Sequence, residues 1–119
     1  MARSEQEGYD LYAELQQKTR QLDTSVRELR KSGTEYAKAE RDYKVLLRQE
    51  VLKLRDDGVA VGLIDKVCYG IPAVAEARFH RDVAKTVYEA NMEAINSIKL
   101  RMRLIDGQIS REWSAVPND

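Results

Sequence analysis

Cysteine, proline and glycine are scarce in this chain of 119 residues, which has one, two and six of them respectively. A single cysteine excludes an intrachain disulfide and is typical of a reducing compartment. The opening residues form no apolar stretch that resembles a secretory signal. No apolar run approaches the roughly 20 residues that a membrane-spanning helix needs. These absences predict a cytoplasmic protein without membrane contact.

Neither sign of charge is in excess, since 20 basic and 20 acidic residues are interleaved along the chain. Charged residues make up 34% and hydrophobic residues 43% of the composition, a mixture typical of long helices with solvated faces. Proteins that bind the phosphate backbone usually carry a basic excess or a basic face. Direct nucleic-acid binding is therefore disfavoured, although the balanced composition is compatible with a local basic patch.

Motifs for catalysis, metal binding and phosphate binding are missing as well. Gly58 and Gly62 lack the Lys-Ser/Thr pair of a phosphate-binding loop. His80 follows Glu76 by one helical turn, but a di-metal helical bundle needs several glutamates and two Glu-x-x-His motifs. We interpret His80 as an exposed, ion-paired residue and Cys68 as a buried structural thiol. The sequence predicts a protein that is not an enzyme and has neither metal nor cofactor.

What the sequence does have is long heptad periodicity. Alternate steps of four and three residues from Leu15 to Leu54 define twelve positions on one side of a helix. Eight of these positions hold large apolar residues. This seam predicts one long helix over residues 9–57, ended by Gly58 because glycine is preferred just past a helix C-terminus. A less favoured alternative is that Thr34, which follows a glycine, is the N-cap of a new helical segment and that the helix is kinked there.

A second seam runs from Val74 to Glu112, with apolar residues at nine of twelve positions. It predicts a second long helix over residues 72–113, with Pro72 in its first turn. Residues 61–69 predict a short connecting helix. Residues 1–8 and 114–119 are predicted to be disordered.

Two long helices with a short connector predict an all-α, antiparallel hairpin. Twelve apolar residues lie beside the seams and cannot all be buried in one hairpin; they are Tyr12, Val45, Leu46, Val51, Leu52, Phe79, Val83, Val87, Met92, Leu100, Leu104 and Trp113. Because soluble monomers avoid long exposed apolar stripes, we expect the hairpin to form a homo-oligomeric helical bundle.

Polar and aromatic seam residues form the candidate ligand site. A hairpin that turns near residue 64 places Glu40 opposite Tyr88, Tyr36 opposite Asn91, and Leu47 near Arg81. The favoured interpretation is a polar layer that sets register and oligomer state. The alternative is a pocket for a nucleotide at a subunit interface, because aromatic faces and arginine suit such a ligand. Its candidate residues are Tyr36, Glu40, Tyr43, Arg78, Arg81, Tyr88 and Asn91.

Three stretches carry a resemblance that covers most of the chain, from Leu11 to Trp113. They are residues 39–44 (AERDYK), 75–84 (AEARFHRDVA) and 109–113 (ISREW). Together they resemble small helical proteins encoded by phages and prophages of Gram-positive bacteria, which are mostly uncharacterised and often lie among early replication and recombination genes. The resemblance implies a phage protein in the host cytoplasm that is not an enzyme. It supplies no functional residues.

These observations lead to three functional hypotheses. The first is a non-enzymatic, oligomeric phage protein that counters host defence, by sequestering a nucleotide signal or by blocking a host protein. The second is an accessory protein of phage DNA replication or recombination. The third is a structural assembly component.

Overall fold

The computed structural model describes residues 2–114, and these contain helices but no strand. Helix α1 spans Ala2–Asp56, α2 spans Val61–Val67, a 3-10 turn covers Cys68–Gly70, and α3 spans Pro72–Ser114. The prediction of two long helices and a short connecting helix is confirmed. None of these helices is long and apolar enough to cross a membrane.

Helix α1 begins at Ala2, seven residues before the predicted start, and so includes residues 2–8, for which disorder was predicted. The alanine, arginine, glutamates and glutamine among them are good helix formers, and extending an existing helix costs little. Residues 1 and 115–119, also predicted to be disordered, lie outside the described part of the chain. Ser114 is the last residue of α3.

The end of α1 is a left-handed glycine cap. Gly58 has φ of 82°, and its N–H donates to the Arg55 carbonyl while the Val59 N–H donates to the Leu54 carbonyl. Glycine adopts this conformation without the strain that a Cβ adds. Gly58 therefore ends α1 as the sequence predicts, and Pro72 opens α3 in the position where its missing N–H costs nothing.

Helix α1 continues without interruption through Gly33, as the favoured interpretation predicts. The Thr34 hydroxyl donates to the carbonyl of Arg30, 3.0 Å away, and so bonds back into its own helix. A threonine that caps a helix instead accepts from N–H groups of the following turn. The alternative of an N-cap at Thr34 is therefore wrong.

The chain forms two compact units. One unit contains the start of α1 up to Leu29 and the part of α3 from Asn91; the other contains residues 30–90 with the connector. In the first unit, Arg101 donates to a carboxylate oxygen of Glu14 at 2.8 Å and Asn91 donates to the Glu28 carbonyl at 3.4 Å. Low-numbered residues thus meet high-numbered ones, so the two helical segments run antiparallel.

In the second unit, Tyr36 contacts Tyr88 and Tyr43 contacts Arg81, which again makes the segments of α1 and α3 antiparallel. Cys68 is 1% exposed, which confirms the predicted burial of this thiol. Ile64 of α2 and Val74 of α3 are also buried.

The predicted seams are the faces that the helices bury. All twelve seam positions of α3 are buried or half-buried, and among the twelve of α1 Thr19 is the exposed exception. A 3-4 spacing places its members on one side of a helix, and that side packs against the other helix. The heptad pattern therefore determines which face of each helix points inward.

Candidate functional site

The centre of the candidate site is an arginine stacked on a buried tyrosine. The Arg81 guanidinium carbon lies 4.5 Å from the centre of the Tyr43 ring, and Tyr43 is only 6% exposed. Both residues are seam positions, which is why the antiparallel helices bring them together. A cation at this distance from an aromatic face is attracted by the ring's quadrupole.

Arg81 is held in place by the carboxylate of its neighbour in sequence. Its Nε and Nη2 donate to Oδ1 of Asp82 at 3.1 and 2.9 Å. This hydrogen bond with Asp82 is the main reason why the pKa of Arg81 is raised above its ordinary value. Electrostatic interactions with Asp82, Tyr43 and Glu40 act in the same direction, and burial acts against them. Because arginine stays protonated in proteins, the guanidinium of Arg81 carries its positive charge throughout the physiological pH range.

Glu40 is half-buried on the seam of α1. Its carboxylate pairs with Lys44 at 3.5 Å, one turn along the same helix. It also contributes to the raised pKa of Arg81. Glu40, Tyr43 and Arg81 thus form one interacting group.

A pair of tyrosines forms the second contact of the site. The rings of Tyr36 and Tyr88 have centres 5.9 Å apart and are tilted by 36°. Gly33 lies beneath this pair, because a Cβ built on it would come within 3.2 Å of Tyr88 Cε2. The missing side chain at Gly33 therefore lets the Tyr88 ring approach the backbone of α1.

The other two predicted site residues lie elsewhere. The Arg78 guanidinium stacks on Tyr69 of the connector, 5.4 Å from the ring centre, and not on the seam tyrosines. Asn91 belongs to the first unit, where it donates to the Glu28 carbonyl. The structure thus brings four of the seven residues into two contacts, while Glu40 pairs with Lys44 beside them and Arg78 and Asn91 lie elsewhere.

The pairing of the helices differs by about one helical turn from the predicted register. Tyr88 faces Tyr36 where Glu40 was expected, and Arg81 faces Tyr43 where Leu47 was expected. The prediction placed the turn at the middle of the connector sequence. The register instead follows the packing of the seam side chains, and a connector that contains a helix and a 3-10 turn need not be symmetric.

Large apolar side chains on other faces of the helices form the second notable feature. Of the twelve apolar residues beside the seams, nine are exposed: Tyr12, Val45, Leu52, Phe79, Val83, Val87, Leu100, Leu104 and Trp113. Leu46, Val51 and Met92 are half-buried. In the connector, Val61, Leu63, Val67 and Tyr69 are exposed too. A single chain therefore leaves much of its apolar surface in water.

Comparisons of the chain with protein families, curated proteins and solved structures give no match. The resemblance to phage-encoded helical proteins stays a prediction.

The chemistry available at the tyrosine and arginine cluster is limited. In the seam, Tyr43 is covered by Arg81, and Tyr36 and Tyr88 are in contact with each other. The residues that the structure describes contain no group of three or more histidine, cysteine, aspartate or glutamate side chains suited to a metal ion. Stacking and ion pairing within the chain are typical of residues that set the register of two packed helices.

Sequence reasoning missed the roles of two residues. Asp82 is not among the predicted site residues, although its carboxylate is the acceptor that orients Arg81. Tyr69 was treated as part of the connector, although it forms the platform for Arg78. Asp82 is adjacent to Arg81 in sequence, which is a usable signal. The contact of Tyr69 depends on how the connector folds, and no local pattern indicates it.

Proposed function

We propose that this protein acts without catalysis, as a homo-oligomer that binds a protein partner through its helical surfaces. The observation that carries the proposal is the exposure of large apolar side chains on faces that point away from the seams, such as Phe79 at 64% and Val45 at 52%. Burial of apolar surface is the main driving force of protein association. Exposed patches of this kind mark interaction sites in soluble proteins.

In the phage setting that the resemblance implies, the partner is a host protein in the cytoplasm, and binding blocks its surface. The alternative of nucleotide sequestration requires free aromatic and guanidinium faces in the seam. There Arg81 is engaged by Tyr43 and Asp82, and Tyr36 stacks against Tyr88. A nucleotide has to displace these contacts before it can bind, which supports protein binding over nucleotide binding.

Native mass spectrometry and sedimentation velocity at micromolar concentration test the proposal. We expect a dimer or a larger even assembly, and a melting temperature that rises with protein concentration because association stabilises the folded state. A stable, folded single chain under these conditions contradicts the proposal. A co-purified nucleotide, or a melting temperature raised by cyclic or linear nucleotides, supports the sequestration alternative instead.

A second candidate function, contact with DNA during phage replication or recombination, is favoured by one observation. Arg41, Arg48 and Arg55 are all exposed on α1 and are spaced by seven residues. This spacing keeps them on one side of the helix at intervals of about 10.5 Å. One observation speaks against DNA contact: the Arg41 Nε donates to the Asp42 carboxylate at 3.1 Å, and this carboxylate offsets part of the positive charge of the arginine row.

Titration of single- and double-stranded DNA at several salt concentrations separates the two candidates. If the arginine row binds DNA, affinity falls steeply with salt and Arg48→Glu weakens it by about tenfold or more. The control is Arg103→Glu, the same charge change on an exposed residue of α3. If the protein-binding proposal is correct, we expect Arg48→Glu to weaken any DNA binding no more than Arg103→Glu does.

A further inference from the structure

We propose that a protein partner binds the outer face of α1 in the unit of residues 30–90 and presents an acidic amphipathic helix to it. This inference rests on the protein binding of the proposed function, and it names the surface and the chemistry of the partner. The outer α1 stripe is defined by Arg41, Val45, Arg48, Leu52 and Arg55, which follow one another in steps of four, three, four and three residues. All five are exposed.

The outer α1 stripe alternates cations with large apolar side chains. Val45 lies one helical turn from Arg41 and from Arg48. Leu52 lies in the same way between Arg48 and Arg55. Val45 is 52% and Leu52 is 46% exposed. Because alternate steps of four and three residues stay on one side of a helix, the five side chains form one continuous surface about 21 Å long.

Two of the three arginines of the stripe are not neutralised within the chain. Arg41 pairs with the Asp42 carboxylate at 3.1 Å. Arg48 and Arg55 form no ion pair with any residue in the part of the chain that the structure describes. Their guanidinium groups are therefore available to carboxylates of another molecule.

The positive charge continues from the stripe toward the start of the unit. There the same spacing leads to Lys38, Thr34 and Lys31, which are exposed as well. Five of the eight positions from residue 31 to residue 55 are basic, and none is acidic. This side of α1 therefore attracts a partner of opposite charge, although the chain as a whole has a formal net charge of zero.

The surroundings of the stripe favour a protein over a nucleic acid as its occupant. Glu35, Asp42 and Asp56 are exposed along one edge, each directly after a position of the same spacing. These carboxylates repel the phosphates of a duplex. A phosphate backbone also offers no apolar surface to Val45 and Leu52, whereas a helix of another protein supplies both carboxylates and apolar side chains.

A second copy of the chain fits this stripe poorly. Homodimers with two-fold symmetry pair the same patch on both subunits. In such a contact the arginines of the two stripes lie close together, and their like charges oppose association. The occupant that the charges favour is therefore a different protein.

An acidic helix with apolar residues at heptad spacing matches the stripe. Its apolar residues pack against Val45 and Leu52 as the residues of a coiled coil do. Its carboxylates accept paired hydrogen bonds from the planar guanidinium groups of Arg48 and Arg55. Arginine is also among the residues that contribute most to binding in protein interfaces. The apolar contacts thus supply affinity, and the charge pairs select an acidic partner.

Fluorescence anisotropy with a synthetic helical peptide of about three heptads tests the inference. The peptide carries leucine at heptad spacing between glutamates, and a control peptide carries lysine in place of every glutamate. We expect the full chain to bind the glutamate peptide and not the lysine peptide. Arg48→Glu is expected to raise the dissociation constant by about tenfold or more, and Leu52→Gln by about fivefold. Both side chains are exposed, so each variant keeps its helix, which circular dichroism checks.

The matched control is Arg103→Glu, the same charge change on an exposed residue of α3, which is expected to leave peptide binding unchanged. The inference is overturned if the glutamate peptide does not bind, or if Arg48→Glu and Arg103→Glu weaken it equally. It is also overturned if a DNA duplex binds the stripe in place of the peptide, or if Arg48→Glu dissociates the homo-oligomer, because the occupant is then a nucleic acid or a second copy. Native mass spectrometry of the same samples separates the two proposals. An oligomer that does not bind the peptide overturns the inference alone, whereas a wild type that is a single chain contradicts the proposed function.

Discussion

Ala39→Glu is expected to lower the free energy of unfolding by about 2–4 kcal/mol, because it places a charge on the buried side of α1 without a prepared partner. Ala39 is 5% exposed. The control is Ala37→Glu, the same substitution two residues earlier at an exposed position of the same helix. There we expect a change within about 0.5 kcal/mol, since alanine and glutamate are both good helix formers.

Denaturant unfolding followed by circular dichroism, at one fixed protein concentration, measures this difference. The concentration has to be fixed because association contributes to apparent stability. Equal losses in the two variants contradict the burial of Ala39, and with it the assignment of the inward face of α1. A large loss in Ala37→Glu alone means that the opposite side of the helix is covered, by a second copy or by another partner.

Tyr43→Ala is expected to lower the free energy of unfolding by about 3–5 kcal/mol, the range for removing a large aromatic side chain from a core. Tyr43 is among the few buried residues of the second unit, and it carries Arg81 on its ring. The truncation leaves a cavity and deprives the guanidinium of its platform.

The control is Tyr43→Phe, which keeps the ring below Arg81 and removes only the hydroxyl. A loss of less than about 1 kcal/mol is expected there, because phenylalanine also accepts a cation on its face. The comparison is made by thermal and denaturant unfolding at equal protein concentration. If Tyr43→Phe is as damaging as Tyr43→Ala, the hydroxyl and not the ring stabilises this part of the structure.

The candidate site shows how far pattern reasoning extends. Tyr43 and Arg81 were both identified from their seam positions, because a heptad pattern identifies inward residues on each helix separately. Their pairing was not predicted, since the pattern is periodic and looks the same after a shift of one turn. The choice between such registers depends on side-chain fit, for example the glycine at position 33 that admits the Tyr88 ring.

Helix boundaries were predictable only where a specific residue sets them. Gly58 ends α1 through its left-handed conformation, and Pro72 begins α3. The start of α1 carries no comparable signal, because most of the residues before Tyr9 are good helix formers but present no apolar face. The predicted start therefore lies seven residues after the start that the structure shows.

By itself, the amino-acid sequence determined the all-helical class, the two long helices, and the inward face of each, because heptad spacing and helix-ending residues act locally. Only the tertiary structure decided the one-turn register, the stacking of Arg81 on Tyr43, the separate location of Arg78 and Asn91, and which apolar residues stay exposed. These depend on contacts between residues far apart in sequence, where small differences in packing free energy choose among arrangements that the periodic pattern permits equally.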